Sequence, residues 1–297
     1  MEGSYPGRLR LWDGWAATRT RADLEGAAVH GLNGPHNPRD FAHRLYVSES
    51  LVPSGWRRAL TAEAEPYTLQ WFLDIENQRH GRQARWIPRL LEFSRHPGER
   101  LLGLGNGLGT DWLQYARHGA AVVVCSPSAD QLALIRRNFE LRGLTGRFYH
   151  APADSLPLEN ASIDVACIDG LLQDTAQPEA IVAEVYRVLK PGGKVLAVTR
   201  ALRDIDYWLQ TLFPWKRWFR SAQQPPRPLV SFTGRSLRRL FGQFVDHRIY
   251  KRHLRRSDVP PLWRWLPLPW LERLGGRVLV LKAFKPLSAA LALQAAA

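Results

Sequence analysis

The sequence predicts an α/β fold, a doubly wound and mostly parallel sheet with helices on both faces. Two observations carry that expectation. From residue 101 to residue 199, short apolar or β-branched segments alternate with segments of helical period. Within Leu101 to Cys125, LLGLGNGLGTDWLQYARHGAAVVVC, a glycine-rich turn joins one such strand to the helix that follows it. Strands linked through helices run parallel and need cover on both sides.

The elements follow in order. Residues 68–95 read as helix ahead of the first strand. Leu101, Leu102 and Leu104 form that strand, and Gly105, Gly107 and Gly109 alternate after it. Alternating glycines allow a tight turn and close approach of a ligand, since no Cβ intervenes. The next helix, Asp111 to His118, aims free N–H groups and the positive end of its dipole over the turn. Such a place, at the carboxyl edge of a parallel sheet, suits a nucleotide-type cofactor. The spacing is GxGxG and departs from the GxGxxG of dinucleotide-binding domains, which disfavours hydride transfer, and the absence of GxxxxGK[ST] disfavours phosphoryl transfer. Ala120 to Cys125 is a strand, Asp130 to Leu141 a helix, Arg147 to His150 a short strand, and Ala153 to Leu158 a loop. Ile163 to Ile168 is the next strand. Pro178 to Leu189 puts Ile181, Val182, Val185, Val188 and Leu189 on one helical face, between a proline start signal and the Lys190-Pro191-Gly192-Gly193 stop. Lys194 to Thr199 is a strand. Further on, Ser236 to Phe244 reads as helix, and Val245 to Lys251 and Arg277 to Phe284 as strands around a proline- and tryptophan-rich insertion, 257–275.

The segments GLGNGLGTDWLQYARHGA, DQLALIRRNFELRGL, ADSLPLENASIDVACIDGLL and PEAIVAEVYRVLKPGGKVLAV resemble, in order and spacing, the class I S-adenosylmethionine-dependent methyltransferases of the methyltransferase type 11 group. The likeness spans roughly residues 70–285, and EVYRVLKPGGKV is its most specific piece. It implies a Rossmann-like sheet closed by an antiparallel C-terminal strand pair. S-adenosyl-L-methionine is the implied cofactor, and the implied contacts are Gly103, Gly105, Asn106, Gly107, Gly109, Ser126, Pro127, Ala153, Asp154 and Asp169. The implied chemistry is methyl transfer to an O, N or C atom of a small or lipid-like acceptor. Three positions depart from the family. Gly103, Ser126 and Pro152 stand where acidic residues usually hold the methionine end, the ribose and the adenine, with Asp154 the nearest carboxylate to the last. A carboxylate takes both ribose hydroxyls through charge-assisted bonds; a serine offers one hydroxyl. Two readings therefore stand open: an enzyme anchoring the cofactor through backbone amides, Asp154 and Asp169, or a non-catalytic relative with weak cofactor binding, serving as a binding or scaffold module. In relatives the acceptor meets the methyl group at the positions of Asp169, Gln173 and Asp174. Leu172-Gln173 replaces a histidine pair common there, so no catalytic residue is assigned. His80, Arg82 and Trp86 fall in a segment that caps the site in relatives and could face substrate; each reads more readily as part of a solvated helix face.

Composition adds boundaries. Residues 1–65 read as an N-terminal extension of loops and short helices, 66–286 as the methyltransferase-like domain, and 287–297 as a flexible tail. Cys125 and Cys167 are the two cysteines, both inside strands, which gives neither a disulfide framework nor a metal cluster. With no apolar signal core and no 18-residue apolar run, the expected setting is cytoplasmic, with peripheral membrane contact as an option. Residues 200–297 hold 19 Lys/Arg against 5 Asp/Glu, which accounts for the whole formal charge of +14. In this part a lid is expected at about 201–235, and within it residues 207–220 interleave six aromatics with Lys216, Arg217 and Arg220. This segment reads either as a patch for an anionic membrane surface or acidic substrate, or as a solvated arginine-rich surface over an aromatic core. Nucleic acid is the least favoured partner, for want of a binding module.

Overall fold

The computed structural model describes residues 67–105, 107–212 and 230–287. The N-terminal extension, Asn106, most of the basic aromatic segment (213–229) and the tail from 288 lie outside the described residues.

Seven strands form one sheet: β1 Arg100–Gly105, β2 Ala121–Ser126, β3 Arg147–His150, β4 Ile163–Asp169, β5 Leu189–Arg200, β6 Val245–Arg252 and β7 Val278–Phe284. Their order is β3-β2-β1-β4-β5-β7-β6. The first five run parallel, and β7 pairs antiparallel with both β5 and β6. The expected fold class holds, antiparallel pair included. The helices are α1 Leu69–Glu76, α2 Ile87–Leu90, α3 Thr110–Arg117, α4 Ala129–Glu140, α5 Pro178–Val188, α6 Ile205–Leu212, α7 Gly234–Leu240 and α8 Leu268–Gly275.

Alternation along the strands divides the core in two. Leu102, Leu104, Ala166, Ile168, Val195 and Ala197 face one side and pack against α5 and α7. Leu101, Val122, Val124, Val165, Leu196 and Val198 face the other, under α3 and α4. This sandwich of a sheet between helices removes nearly all of the strands' apolar surface from water, the main favourable contribution to folding.

The structure corrects the sequence reading in places. The helix expected over 68–95 is broken: α1 passes into a π-helical turn, Asn77–Gln83, and then a separate short α2. Gly81 weakens the continuous helix, and Pro88 starts a new one. Glu92, at φ 58, then turns the chain toward β1. Its carboxylate receives Lys194 Nζ and Lys282 Nζ, both at 2.6 Å, tying this segment to β5 and β7. Burial pushes that carboxyl up, but the two lysines outweigh it and hold it at about 2. The insertion at 257–275 is also more ordered than a proline-rich stretch suggests. Val259 and Leu271 close a small satellite core with Leu254 and with Ile205 of α6, so the insertion packs on the start of α6.

Candidate cofactor and acceptor site

The carboxyl ends of β1, β2 and β4 meet around the glycine turn. Gly109 adopts the left-handed conformation (φ 72) as the residue before α3, and a Cβ there would lie 2.7 Å from Ile135 of α4. Glycine is thus required twice, by the backbone and by the approach of α4. No side chain caps the first turn of α3, so its N–H groups face the edge of the sheet.

Gly103 lies mid-strand, paired with Val124 on one side and Cys167 on the other. A Cβ on it would meet the indole of Trp112 at 2.5 Å. The room that an acidic side chain would need is filled from α3. The same indole lies beside Gly105, whose added Cβ would also strike the backbone oxygen of Asp169. Gly103 is a packing position, and its lack of an acid is coupled to Trp112.

Ser126 ends β2 as aligned, but its hydroxyl turns inward. It donates to Gln131 Oε1 at 2.6 Å and accepts from the amide of Ser128. Gln131 Nε2 in turn donates to the carbonyls of Gly105 (3.0 Å) and Gly107 (2.8 Å). This brace from α4 locks the glycine turn against β2. Sequence reasoning missed Gln131; the available signal was its place in the first turn of the helix that follows β2. Of the remaining contacts, the carbonyl of Pro127 accepts from His150, Ala153 is buried, and Asp154 is exposed in the loop after β3. Asn106 lies outside the described residues.

Asp169 at the end of β4 is buried and belongs to an ionic cluster that the sequence did not reveal. Arg79, on the π-helical turn and 3% exposed, reaches Asp111 through Nε (2.8 Å) and Nη2 (2.6 Å), and Asp169 through Nη2 (2.6 Å). His80 Nε2 is 2.7 Å from the same Asp111 carboxylate. His80 therefore faces the site and not solvent. The two carboxyls share one guanidinium unequally. Asp111 is held well below its ordinary range: Arg79 and His80 outweigh the opposing effect of burial. Burial pushes Asp169 up, Arg79 pulls it down, and the charge of Asp111 raises it again, leaving it at about 6.

Beyond β4, Gln173 is fully buried. Its Oε1 accepts from the amide of Arg200 at 2.7 Å, while its Nε2 has no partner among the described residues. Thr199 Oγ1, also buried, is likewise unpartnered. Burial pushes the Cys125 thiol up to about 12 and raises Cys167 well above its ordinary value too, consistent with inert thiols. No group of three or more His, Cys, Asp or Glu side chains suited to a metal occurs among the described residues.

A model of a methyltransferase domain matches residues 101–197, β1 through most of β5. The ubiquinone/menaquinone biosynthesis C-methyltransferase of Stutzerimonas stutzeri is 33% identical over 175 residues, 56% of this chain and 68% of that protein. The chain belongs to the class I S-adenosylmethionine-dependent methyltransferases, in the methyltransferase type 11 group. The cofactor of this family is S-adenosyl-L-methionine. Another methyltransferase of the comparison is the demethylmenaquinone methyltransferase of Thermus thermophilus, 33% identical over 121 residues, 40% of this chain and 55% of that protein. The chain spans about half the length of the first curated relatives it matches. The crystal structure of the [4+2]-cyclase SpnF superposes with a TM-score of 0.50 at 20% identity, covering 73% of this chain and 83% of that one, a likeness of fold alone.

Proposed function

We propose that this methyltransferase-family chain transfers a methyl group from S-adenosyl-L-methionine to a small acceptor of quinone or lipid-like character. The observation that carries the reading is the pairing of Arg79 with Asp169 at the carboxyl edge, beside an uncapped helix terminus and a braced glycine turn. The amino-acid end of the cofactor bears one ammonium and one carboxylate. Asp169 can share its carboxylate between Arg79 and that ammonium, Arg79 itself being committed to Asp111 and Asp169, and the amides around Gly105, Gly107 and Gly109 offer donors to the carboxylate. The residues present fit that end and the turn. The ribose gains less, because the hydroxyl of Ser126 is committed to Gln131; Asp154, in the loop after β3, is the free carboxylate nearest the adenine position. The relatives named as enzymes lend the non-catalytic alternative no support.

When bound, the cofactor supplies a methyl group on a sulfonium, which a nucleophilic atom of the acceptor attacks in line. The chain's task is to hold the two in line and exclude water. Gln173 and Thr199, with unpaired polar atoms at the ends of β4 and β5, are the groups we assign to orient the acceptor. A donor at Gln173 Nε2 suits a carbonyl or phenolate oxygen, the polar group of a quinone-type ring. The names of the Thermus and Stutzerimonas relatives support this acceptor class. No helix among the described residues is long and apolar enough to cross a membrane. A cytoplasmic setting, with residues 207–220 meeting an anionic membrane surface, remains part of the proposal. The test is transfer of labelled methyl from S-adenosylmethionine to a demethylated quinone dispersed in detergent. Transfer by the wild type and at least a tenfold loss in Gln173→Leu supports the assignment; binding of cofactor without transfer to any quinone rejects the acceptor class.

A further inference from the structure

A cavity of about 490 Å³ opens at the far side of the same sheet edge, over β5, β7 and β6. Roughly 14 Å separates it from β1, three strand spacings away. Four cationic residues line it, each from a different part of the chain: Arg203 from the link between β5 and α6, Arg235 from the first turn of α7, Lys251 from β6, and Arg273 from α8. No carboxylate is among the lining residues. Among the described residues, the guanidinium groups of Arg203, Arg235 and Arg273 have no carboxylate partner. Lys251 is held in place: its Nζ donates to the carbonyls of Arg203 and Leu274, both at 2.5 Å. Asp204, the nearest carboxylate acting on Lys251, is buried outside the cavity wall, where it caps the amide of Tyr207.

Convergence of four like charges on a concave space is unfavourable in the empty chain and focuses a positive potential there. An anion relieves it. Apart from Thr233, the rest of the wall is apolar or glycine, Phe232, Ile249 and Leu279 among it. Phe232 and Leu279 are buried at 4% exposure each. Exposed apolar side chains neighbour two of the lining arginines in the chain: Trp270 and Leu274, on α8 with Arg273, are 67% and 64% exposed, and Leu202, next to Arg203, is 46% exposed. The volume lies within the ordinary range of small-molecule sites.

We infer that this cavity is a binding site for an anionic amphiphile, an oxyanion such as a phosphate or carboxylate carried on an apolar body. The oxyanion lies among Arg203, Arg235, Lys251 and Arg273, and the apolar body runs over Phe232, Ile249 and Leu279. The arginines suit a planar or tetrahedral oxyanion through paired N–H donors. Binding here needs no S-adenosylmethionine, so it stands or falls apart from methyl transfer.

The test uses the full chain without cofactor and four probes in calorimetry: dodecyl phosphate below its micelle concentration, inorganic phosphate, neutral dodecyl maltoside, and vesicles of phosphatidylglycerol mixed with phosphatidylcholine. Dodecyl phosphate should bind at one site, about tenfold or more tighter than inorganic phosphate or dodecyl maltoside, because only it offers both charge and chain. Affinity should fall with added salt. The double variant Arg235→Ser/Arg273→Ser should weaken dodecyl phosphate by at least about tenfold while its thermal unfolding stays close to wild type, since both side chains are exposed. Arg203→Ser gives an independent check. Equal binding of dodecyl maltoside, or unchanged affinity in both variants, overturns the site. Binding to anionic vesicles with none to monomeric dodecyl phosphate also overturns it, in favour of a flat membrane-facing surface.

Discussion

At the end of β4 two carboxyls face one guanidinium, and Asp169 holds its proton the more tightly of the two. Its value of about 6 in the folded chain stands above the roughly 3.9 of an unfolded aspartate. Between those values the folded chain binds the additional proton. The stability this group confers is therefore full below about pH 4 and lost as pH rises through 6. Asp169→Asn keeps an acceptor for Arg79 and buries no charge. Relative to the variant, the wild type should lose stability as pH rises from 4 to 7, seen as diverging Tm profiles. Parallel profiles would mean that Asp169 ionises as an ordinary aspartate. Gln131 is the second residue that sets the site. Gln131→Leu strands the carbonyls of Gly105 and Gly107 and the hydroxyl of Ser126, so urea unfolding should report a loss of about 2–4 kcal/mol. A loss below about 1 kcal/mol would show that the brace is dispensable. Asp169 and the glycines were legible in the sequence because a strand end and a turn are local features. Arg79 was not. Its partners Asp111 and Asp169 lie 32 and 90 residues away, and no spacing rule joins them.

Among the elements, the π-helical turn Asn77–Gln83 has most bearing on the site. It delivers Arg79 and His80 to the carboxyl edge, where a straight continuation of α1 would follow a different path. The sequence predicts one helix over 68–95; it breaks near Gly81 and Pro88, and the wider turn itself has no sequence signature. Arg79→Met leaves two buried carboxyls without their shared guanidinium, Asp111 keeping its contact with His80. Breaking a buried pair in this way costs about 3–5 kcal/mol at pH 7. Lowering the pH to 5 should recover part of that loss, because Asp169 then takes up a proton. Thermal unfolding at both values checks this; an equal loss at both would show that Asp169 is not the group left unpaired. The gap at Gly103 also has its reason at this scale. Read along the chain it is a missing acid; in the fold it is the space that α3 takes for Trp112. Cofactor loss does not follow from that glycine alone.

For the whole molecule, the sheet was legible because each strand is a short apolar run and each helix repeats its apolar face, and the two periods cannot be exchanged. The antiparallel pair of β6 and β7 followed only from the family likeness, since neither strand's composition tells its direction. How the insertion packs on α6 was not legible, for Ile205, Leu254, Val259 and Leu271 meet across long separations. The fold gathers the glycine turn, the Arg79–Asp169 pair and Gln173, whose Nε2 has no partner among the described residues, along one edge, with a basic cavity farther along it. The central claim is that S-adenosylmethionine lies over the glycine turn. Calorimetric titration of wild type and Gly107→Val with S-adenosylhomocysteine tests it most directly. Saturable binding at one site is expected in the wild type and none in a Gly107→Val variant that still unfolds cooperatively. No binding by the wild type, or equal binding by the folded variant, would contradict it.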